Sequence, residues 1–139
     1  MEKTGTSKLC FFLIDDHYAD LQIFDTALEQ IYPDSNRKCF EGGEELISFL
    51  ENPGNQDINP SAIFVDLNMP GMNGKEVLTY LKSDKRIDIP VYMLSGTIHT
   101  ELTHELIAMG AKDVFEKPGD YYEIVELFSE IPLTELILK

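Results

Sequence analysis

The stretch AIFVDLNMPGMNG, residues 62–74, reads as a short apolar strand that ends on Asp66, followed by a loop punctuated by Pro70, Gly71 and Gly74. Three further apolar runs, Leu9–Ile14, Val91–Leu94 and Val114–Phe115, also stop at residues able to handle phosphate: Asp15 with Asp16, Ser95, and Lys117. If the four runs are parallel strands of one sheet, their carboxyl ends share one edge, which is where open α/β sheets place ligand sites. Three carboxylates, one hydroxyl and one ammonium then converge. Such a set can hold a divalent cation and a phosphoryl group together.

Working outward, helical and extended patterns alternate. Leu21, Phe24, Leu28 and Ile31 fall on one helical face and Pro33 closes the segment, so the spacing predicts a helix over Ala19–Tyr32. A strand at Arg37–Phe40 precedes Gly42 and Gly43, and Leu46, Ile47 and Leu50 mark a second helix that ends before Pro53. The segment PGNQDINP reads as loop. Val77, Leu78 and Leu81 seed a third helix, and Pro90 opens the fourth strand. Leu102, Leu106 and Met109 line a fourth helix that Gly110 stops with a left-handed cap. A fifth helix spans Tyr121–Glu130, with Ile124, Val125, Leu127 and Phe128 opposite Glu123, Glu126 and Glu130. Five strands alternating with five helices predict a parallel sheet covered on both faces.

Composition narrows the function. The chain has 139 residues, 43% of them hydrophobic, which suits one domain with a real core. Its net charge of −14 disfavours nucleic acid, whose affinity comes largely from Lys and Arg neutralising phosphates. The N-terminal MEKTGTSK lacks an apolar signal core, and no run approaches the roughly 18 residues a membrane span needs. The expectation is a soluble, cytoplasmic protein that meets neither nucleic acid nor membrane. Cys10 and Cys39 sit in apolar stretches without metal or redox spacing and are expected in the core.

Asp15-Asp16 after the first strand, DLNMPGMNG around Asp66, Ser95-Gly96 after the fourth strand and Lys117-Pro118 after the fifth together resemble a response-regulator receiver domain. The resemblance covers residues 7–131, leaving an apolar tail at 132–139. It implies a flavodoxin-like doubly wound sheet of order 2-1-3-4-5 with five helices. It also implies a stand-alone receiver of two-component signalling or a phosphorelay, acting by protein contacts. The implied partners are a sensor histidine kinase or histidine phosphotransfer protein and a downstream protein target. The implied output face is the fourth helix, fifth strand and fifth helix, which is available to a homodimer or a partner.

The chemistry follows from the residue types. Two carboxylates about 5 Å apart repel by roughly 3 kcal/mol at an effective dielectric near 20, so three at one edge call for a cation. Mg²⁺ suits because it takes one or two carboxylates, phosphate oxygens and several waters. The receiver pattern implies Asp16 and Asp66 as direct ligands, Asp15 mainly through water, and the main-chain carbonyl of Asn68. Three carboxylates against Mg²⁺ and Lys117 sum to zero charge. By the same resemblance Asp66 is the phosphoacceptor, Lys117 pairs with a phosphoryl oxygen, and the Ser95 hydroxyl moves in to donate to another. Gly96 leaves space there. Lys117-Pro118 is commonly cis in the family, which would aim the ammonium. The protein is then no enzyme in its own right, but a regulator that labels itself from phosphodonors with Mg²⁺ and later dephosphorylates itself.

Each residue also has a plainer reading. Asp15 and Asp16 can be N-cap or turn residues, Asp66 a turn residue, Ser95 a helix cap and Lys117 a solvated lysine. Co-occurrence at four strand ends favours the site. His17, beside the acidic pair, reads as a solvated loop histidine more than as a site or kinase contact, and His99 and His104 have no assigned role. Asn68 and Thr97 hold positions that tune dephosphorylation in receivers, and neither carries a base or carboxylate. Val114 stands where receivers carry an aromatic switch residue, and alternation points Phe115 to the other face unless a bulge re-aims it. Leu133, Leu136, Ile137 and Leu138 of the tail are expected to pack back on the domain, with an intermolecular contact as the alternative. Two other functions compete: a pseudo-receiver binding module, which usually lacks one of these residues, and an Asp-nucleophile phosphatase. The phosphatase normally has a second Asp two residues on, where this chain has Asn68.

Overall fold

Alternation along each strand sorts the apolar side chains onto two faces, and the helices divide accordingly. The computed structural model describes residues 9–55, 57–83 and 88–131. The elements are β1 (Cys10–Ile14), α1 (Tyr18–Ile31), β2 (Asn36–Phe40), α2 (Gly43–Glu51), β3 (Ala62–Asp66), α3 (Gly74–Ser83), β4 (Val91–Ser95), α4 (Thr100–Ala108), β5 (Asp113–Glu116) and α5 (Tyr121–Glu130). All strand pairs are parallel, in the order β2-β1-β3-β4-β5. This is the expected doubly wound sheet. The expected tail packing at 132–139 lies outside the described residues.

On one face Phe12, Ile14, Ile63, Val65, Val91, Met93 and Val114 meet Leu46 of α2, Val77, Leu78 and Leu81 of α3, and Leu106 of α4. On the other, Phe11, Leu13, Phe64, Tyr92 and Leu94 meet Leu21, Phe24, Ala27 and Leu28 of α1 and Ile124, Leu127 and Phe128 of α5. Each fully buried side chain of this size contributes about 1.5–3 kcal/mol. The helical stripes read from the sequence are therefore the faces that touch the sheet, except that on α2 Phe49, and not the expected Ile47, packs on the core beside Leu46 and Leu50.

Local differences have local causes. Helix α1 lies one residue earlier than expected at each end, with Tyr32 as its C-cap donating its N–H to Leu28 O at 2.7 Å. A single 3-10 turn at Pro53–Asn55 interrupts the expected loop. The cysteines are not core residues. Cys10 is half-buried at the margin of the α2/α3/α4 side, and Cys39 is exposed because β2 is the sheet's edge and its side chains are only partly covered. Gly110 does adopt the left-handed conformation expected of a cap, with φ +113°.

Candidate functional site

Backbone bonds that run past the strands hold the carboxyl ends together. Asp15 N donates to Phe40 O at 3.0 Å, Leu67 N to Leu94 O at 2.8 Å, and Lys117 N to Ser95 O at 2.7 Å. Asp15, Asp66, Ser95 and Lys117 thereby stand side by side along the sheet's carboxyl edge. Gly74 tightens the loop after Asp66: its N–H donates to Leu67 O at 2.9 Å. A Cβ there would stand 2.6 Å from Leu67 Cα and 2.7 Å from Asp66 O, so only glycine permits this approach. Among the described residues the only buried polar or charged side chains are Asp15, Asp66 and Ser95, all at this edge. A core otherwise apolar retains polar groups where they can act.

Lys117 Nζ is the hub. It lies 2.6 Å from Asp15 Oδ2, 3.0 Å from Asp20 Oδ2 and 3.5 Å from Asp66 Oδ2. Asp20 was missed by sequence reasoning, although four residues after Asp16, on the first turn of the helix that follows the acidic pair, was a signal that could have found it. Its carboxylate changes the expected charge balance: four carboxylates against a dication and Lys117 sum to −1. Burial pushes the Asp66 carboxyl up to about 6, and the Asp15 charge adds to this, while Lys117 and the Asn68 N–H pull it down. Burial alone would lower the Lys117 ammonium, but its bonds to Asp15 and Asp20 outweigh this and hold it well above its ordinary value.

The remaining residues are placed as follows. Asn68 is exposed beside Asp66, its N–H 3.4 Å from Asp66 Oδ1. The Ser95 hydroxyl donates to Thr97 O at 2.7 Å, within its own loop. It does not cap α4; His99 does, its Nδ1 accepting from Leu102 N at 3.2 Å. A Cβ on Gly96 would meet nothing within 4 Å, so the space beside Ser95 is open. Lys117-Pro118 is trans, unlike the cis bond common in the family, and the ammonium reaches the carboxylates across the long lysine side chain. Val114 is buried on the α4 side, and Phe115 lies on the other face with its ring 6.0 Å from that of Tyr92. No bulge re-aims Phe115: β5 pairs with β4 in continuous register from Asp113 to Glu116.

The acidic set fits a cation. Asp15, Asp16, His17 and Asp66 each present a donor atom, all within 4.8 Å of one another. Asp16 Oδ1 is buried and has no hydrogen-bond partner. An orphaned anionic oxygen is costly, and a bound cation satisfies it. His17, expected as a solvated loop residue, has an exposed ring whose Nδ1 lies 3.5 Å from both Asp15 Oδ1 and Asp16 Oδ1.

Known proteins resemble this chain in sequence and in fold. The profile of the response regulator receiver domain matches residues 11–129. A protein-glutamate methylesterase/protein-glutamine glutaminase of Treponema pallidum is 40% identical over 116 residues, covering 82% of this chain and 27% of that protein. The chain spans less than half the length of the curated relatives it matches. The phosphorylated cyanobacterial phytochrome response regulator RcpA superposes with a TM-score of 0.80 at 24% identity, covering 96% of each chain. The Mn²⁺-bound response regulator Rcp1 superposes at 0.77 and 21% identity, covering 92% of this chain and 94% of that one. These structural likenesses establish the fold. No helix among the described residues is long and apolar enough to cross a membrane. With the profile spanning nearly the whole chain and an acidic pocket of the kind in which the family binds a divalent metal, this chain belongs to the response regulator receiver domain family of two-component signalling.

Proposed function

We propose that this chain is a phosphoacceptor switch in which Asp66 takes a phosphoryl group from the phosphohistidine of a sensor histidine kinase or histidine phosphotransfer protein. The observation that carries the reading is the concentration of all described buried polar side chains at one sheet edge, around the Lys117 ammonium. A carboxylate oxygen of Asp66 attacks phosphorus, the P–N bond of the donor breaks, and the imidazole leaves with its electron pair and takes a proton. The product is an acyl phosphate. Its charge must be matched at the strand ends, and positioning with electrostatic stabilisation does most of the work in such transfers.

Asp15, Asp16 and Asp66, with the main-chain carbonyl of Asn68, are the residues that would hold Mg²⁺. The bound ion would supply positive charge to the phosphoryl oxygens. Lys117 is 3.5 Å from Asp66 Oδ2 and exchanges carboxylate partners for a phosphoryl oxygen. Ser95 leaves Thr97 O and donates to a second oxygen. That exchange moves the loop between β4 and α4. With Val114 in place of an aromatic ring, the movement reaches the face formed by α4, β5 and α5 through backbone and packing, and the altered face is read by a downstream protein or a second copy.

Intact mass after incubation with acetyl phosphate tests this, with and without Mg²⁺, on wild type and Asp66→Asn. Gain of one phosphoryl group only in wild type with Mg²⁺ is expected. Equal labelling of Asp66→Asn, or no labelling of folded wild type with rapid trapping, refutes it.

A further inference from the structure

Building on that reading of the acidic pocket as a cation site, we propose that His17 is a nitrogen ligand of the same ion, and that it tilts the site towards first-row transition dications over Mg²⁺. His17 follows the acidic pair directly, and its main-chain N–H donates to Asp15 Oδ1 at 2.9 Å, which anchors the residue to the first carboxylate. Its Nδ1 stands 3.5 Å from Asp15 Oδ1, 3.5 Å from Asp16 Oδ1 and 3.9 Å from Asp20 Oδ2. These separations exceed the usual 2.7–3.2 Å of an N–H···O hydrogen bond. They are close to what one octahedral ion imposes: with donors about 2.1 Å from the metal, neighbouring donors lie about 3.0 Å apart and opposite ones about 4.2 Å. Closure by roughly half an ångström brings the four donor atoms, now within 4.8 Å of one another, into one coordination sphere.

The ring is not committed elsewhere. His99 occupies the matching place at the start of α4 and spends its Nδ1 on the helix cap. His17 caps α1 with no side-chain bond and turns Nδ1 to the carboxylates instead. Its side chain is 66% exposed, so small ring rotations meet little resistance. Imidazole suits Fe²⁺, Ni²⁺, Cu²⁺ and Zn²⁺, whereas Mg²⁺ prefers oxygen and keeps its waters. Three carboxylates alone serve both classes; the added nitrogen discriminates between them.

Calorimetric titration of the full chain at pH 8 with Co²⁺ and, separately, Mg²⁺ tests the assignment on wild type and His17→Ala. Circular dichroism checks that both are folded. The expected result is a loss of at least tenfold in Co²⁺ affinity in His17→Ala with Mg²⁺ affinity changed less than twofold, and a change in the visible Co²⁺ absorption spectrum. An unchanged Co²⁺ affinity overturns the assignment. Equal changes for both ions also overturn it, because an imidazole acting only as a counter-charge affects all dications alike. Phosphoryl gain on wild type and Asp66→Asn, measured alongside, judges the phosphoacceptor reading separately: labelling with an unchanged Co²⁺ affinity sinks only the His17 assignment. Absence of any metal binding refutes both the assignment and the cation site.

Discussion

Replacing Asp66 with Asn should make the metal-free protein more stable, even though it removes the proposed acceptor. The Asp66 carboxyl is raised from 3.8 to about 6, first by burial and then by the Asp15 charge. The folded protein therefore holds this proton more tightly than the unfolded chain. Its contribution to stability is fully present below 3.8 and is lost as pH rises through about 6. Two pH units at about 1.4 kcal/mol each put the loss near 3 kcal/mol by pH 8, and at pH 4.5 it is about 1 kcal/mol. Asparagine keeps the shape without the charge, so Asp66→Asn recovers those amounts. For a chain of this size the larger figure corresponds to a melting point raised by roughly 10 °C. Urea unfolding of both proteins in EDTA at pH 8 and pH 4.5 measures the difference. Added Mg²⁺, if held as proposed, stabilises wild type by mass action and should narrow the gap, since the variant has lost a carboxylate of the proposed ligand set. A variant no more stable than wild type at pH 8 in EDTA, or a gain of equal size at pH 4.5, would refute the claim that the buried Asp66 charge opposes folding here.

Three further outcomes are expected. Asp20→Asn removes a partly exposed carboxylate 3.0 Å from Lys117 Nζ, which itself lies 3.5 Å from the proposed acceptor; a charge roughly 6 Å away, screened as in bulk water, is worth about 0.7 kcal/mol, so Asp66 labelling by acetyl phosphate should quicken about threefold. Initial rates followed by intact mass check this, and a slower rate would show that Asp20 assists transfer. Gly74→Ala drives a Cβ into Leu67 Cα and Asp66 O and should cost more than about 2 kcal/mol in urea unfolding, with loss of labelling because the Asp66 loop is displaced. Phe64→Ala empties the space among Phe11, Tyr92 and Phe128 on the α1/α5 side and should cost about 3–5 kcal/mol, with labelling retained in the fraction still folded.

The candidate site was legible because strand ends in a parallel sheet share an edge. Once Asp15, Asp66 and Ser95 each followed an apolar run directly and Lys117 followed one across Glu116, their placement at one edge needed no knowledge of strand order. Helix faces were legible for the same kind of reason: Leu21, Phe24 and Leu28, or Ile124, Leu127 and Phe128, recur at the period of a turn, and burial follows that period. Cys39 was misread because an apolar neighbourhood in sequence does not say whether a strand is central or at the edge.

What the sequence by itself determined is therefore the alternation of elements, the two faces of each strand and the identity of the strand-end groups, all of which depend on local periodicity. Tertiary structure alone decided which cations and anions share one another's field. Asp20 reaches Lys117 only because α1 packs against α5, whose preceding segment carries the lysine, 97 positions away in the chain from the carboxylate that holds it. His17 turns to Asp15 and Asp16 rather than to its own helix, while His99 does the reverse. Those choices depend on distances of 3–4 Å between separate elements, where Coulomb energy changes steeply, and no spacing along the chain encodes them.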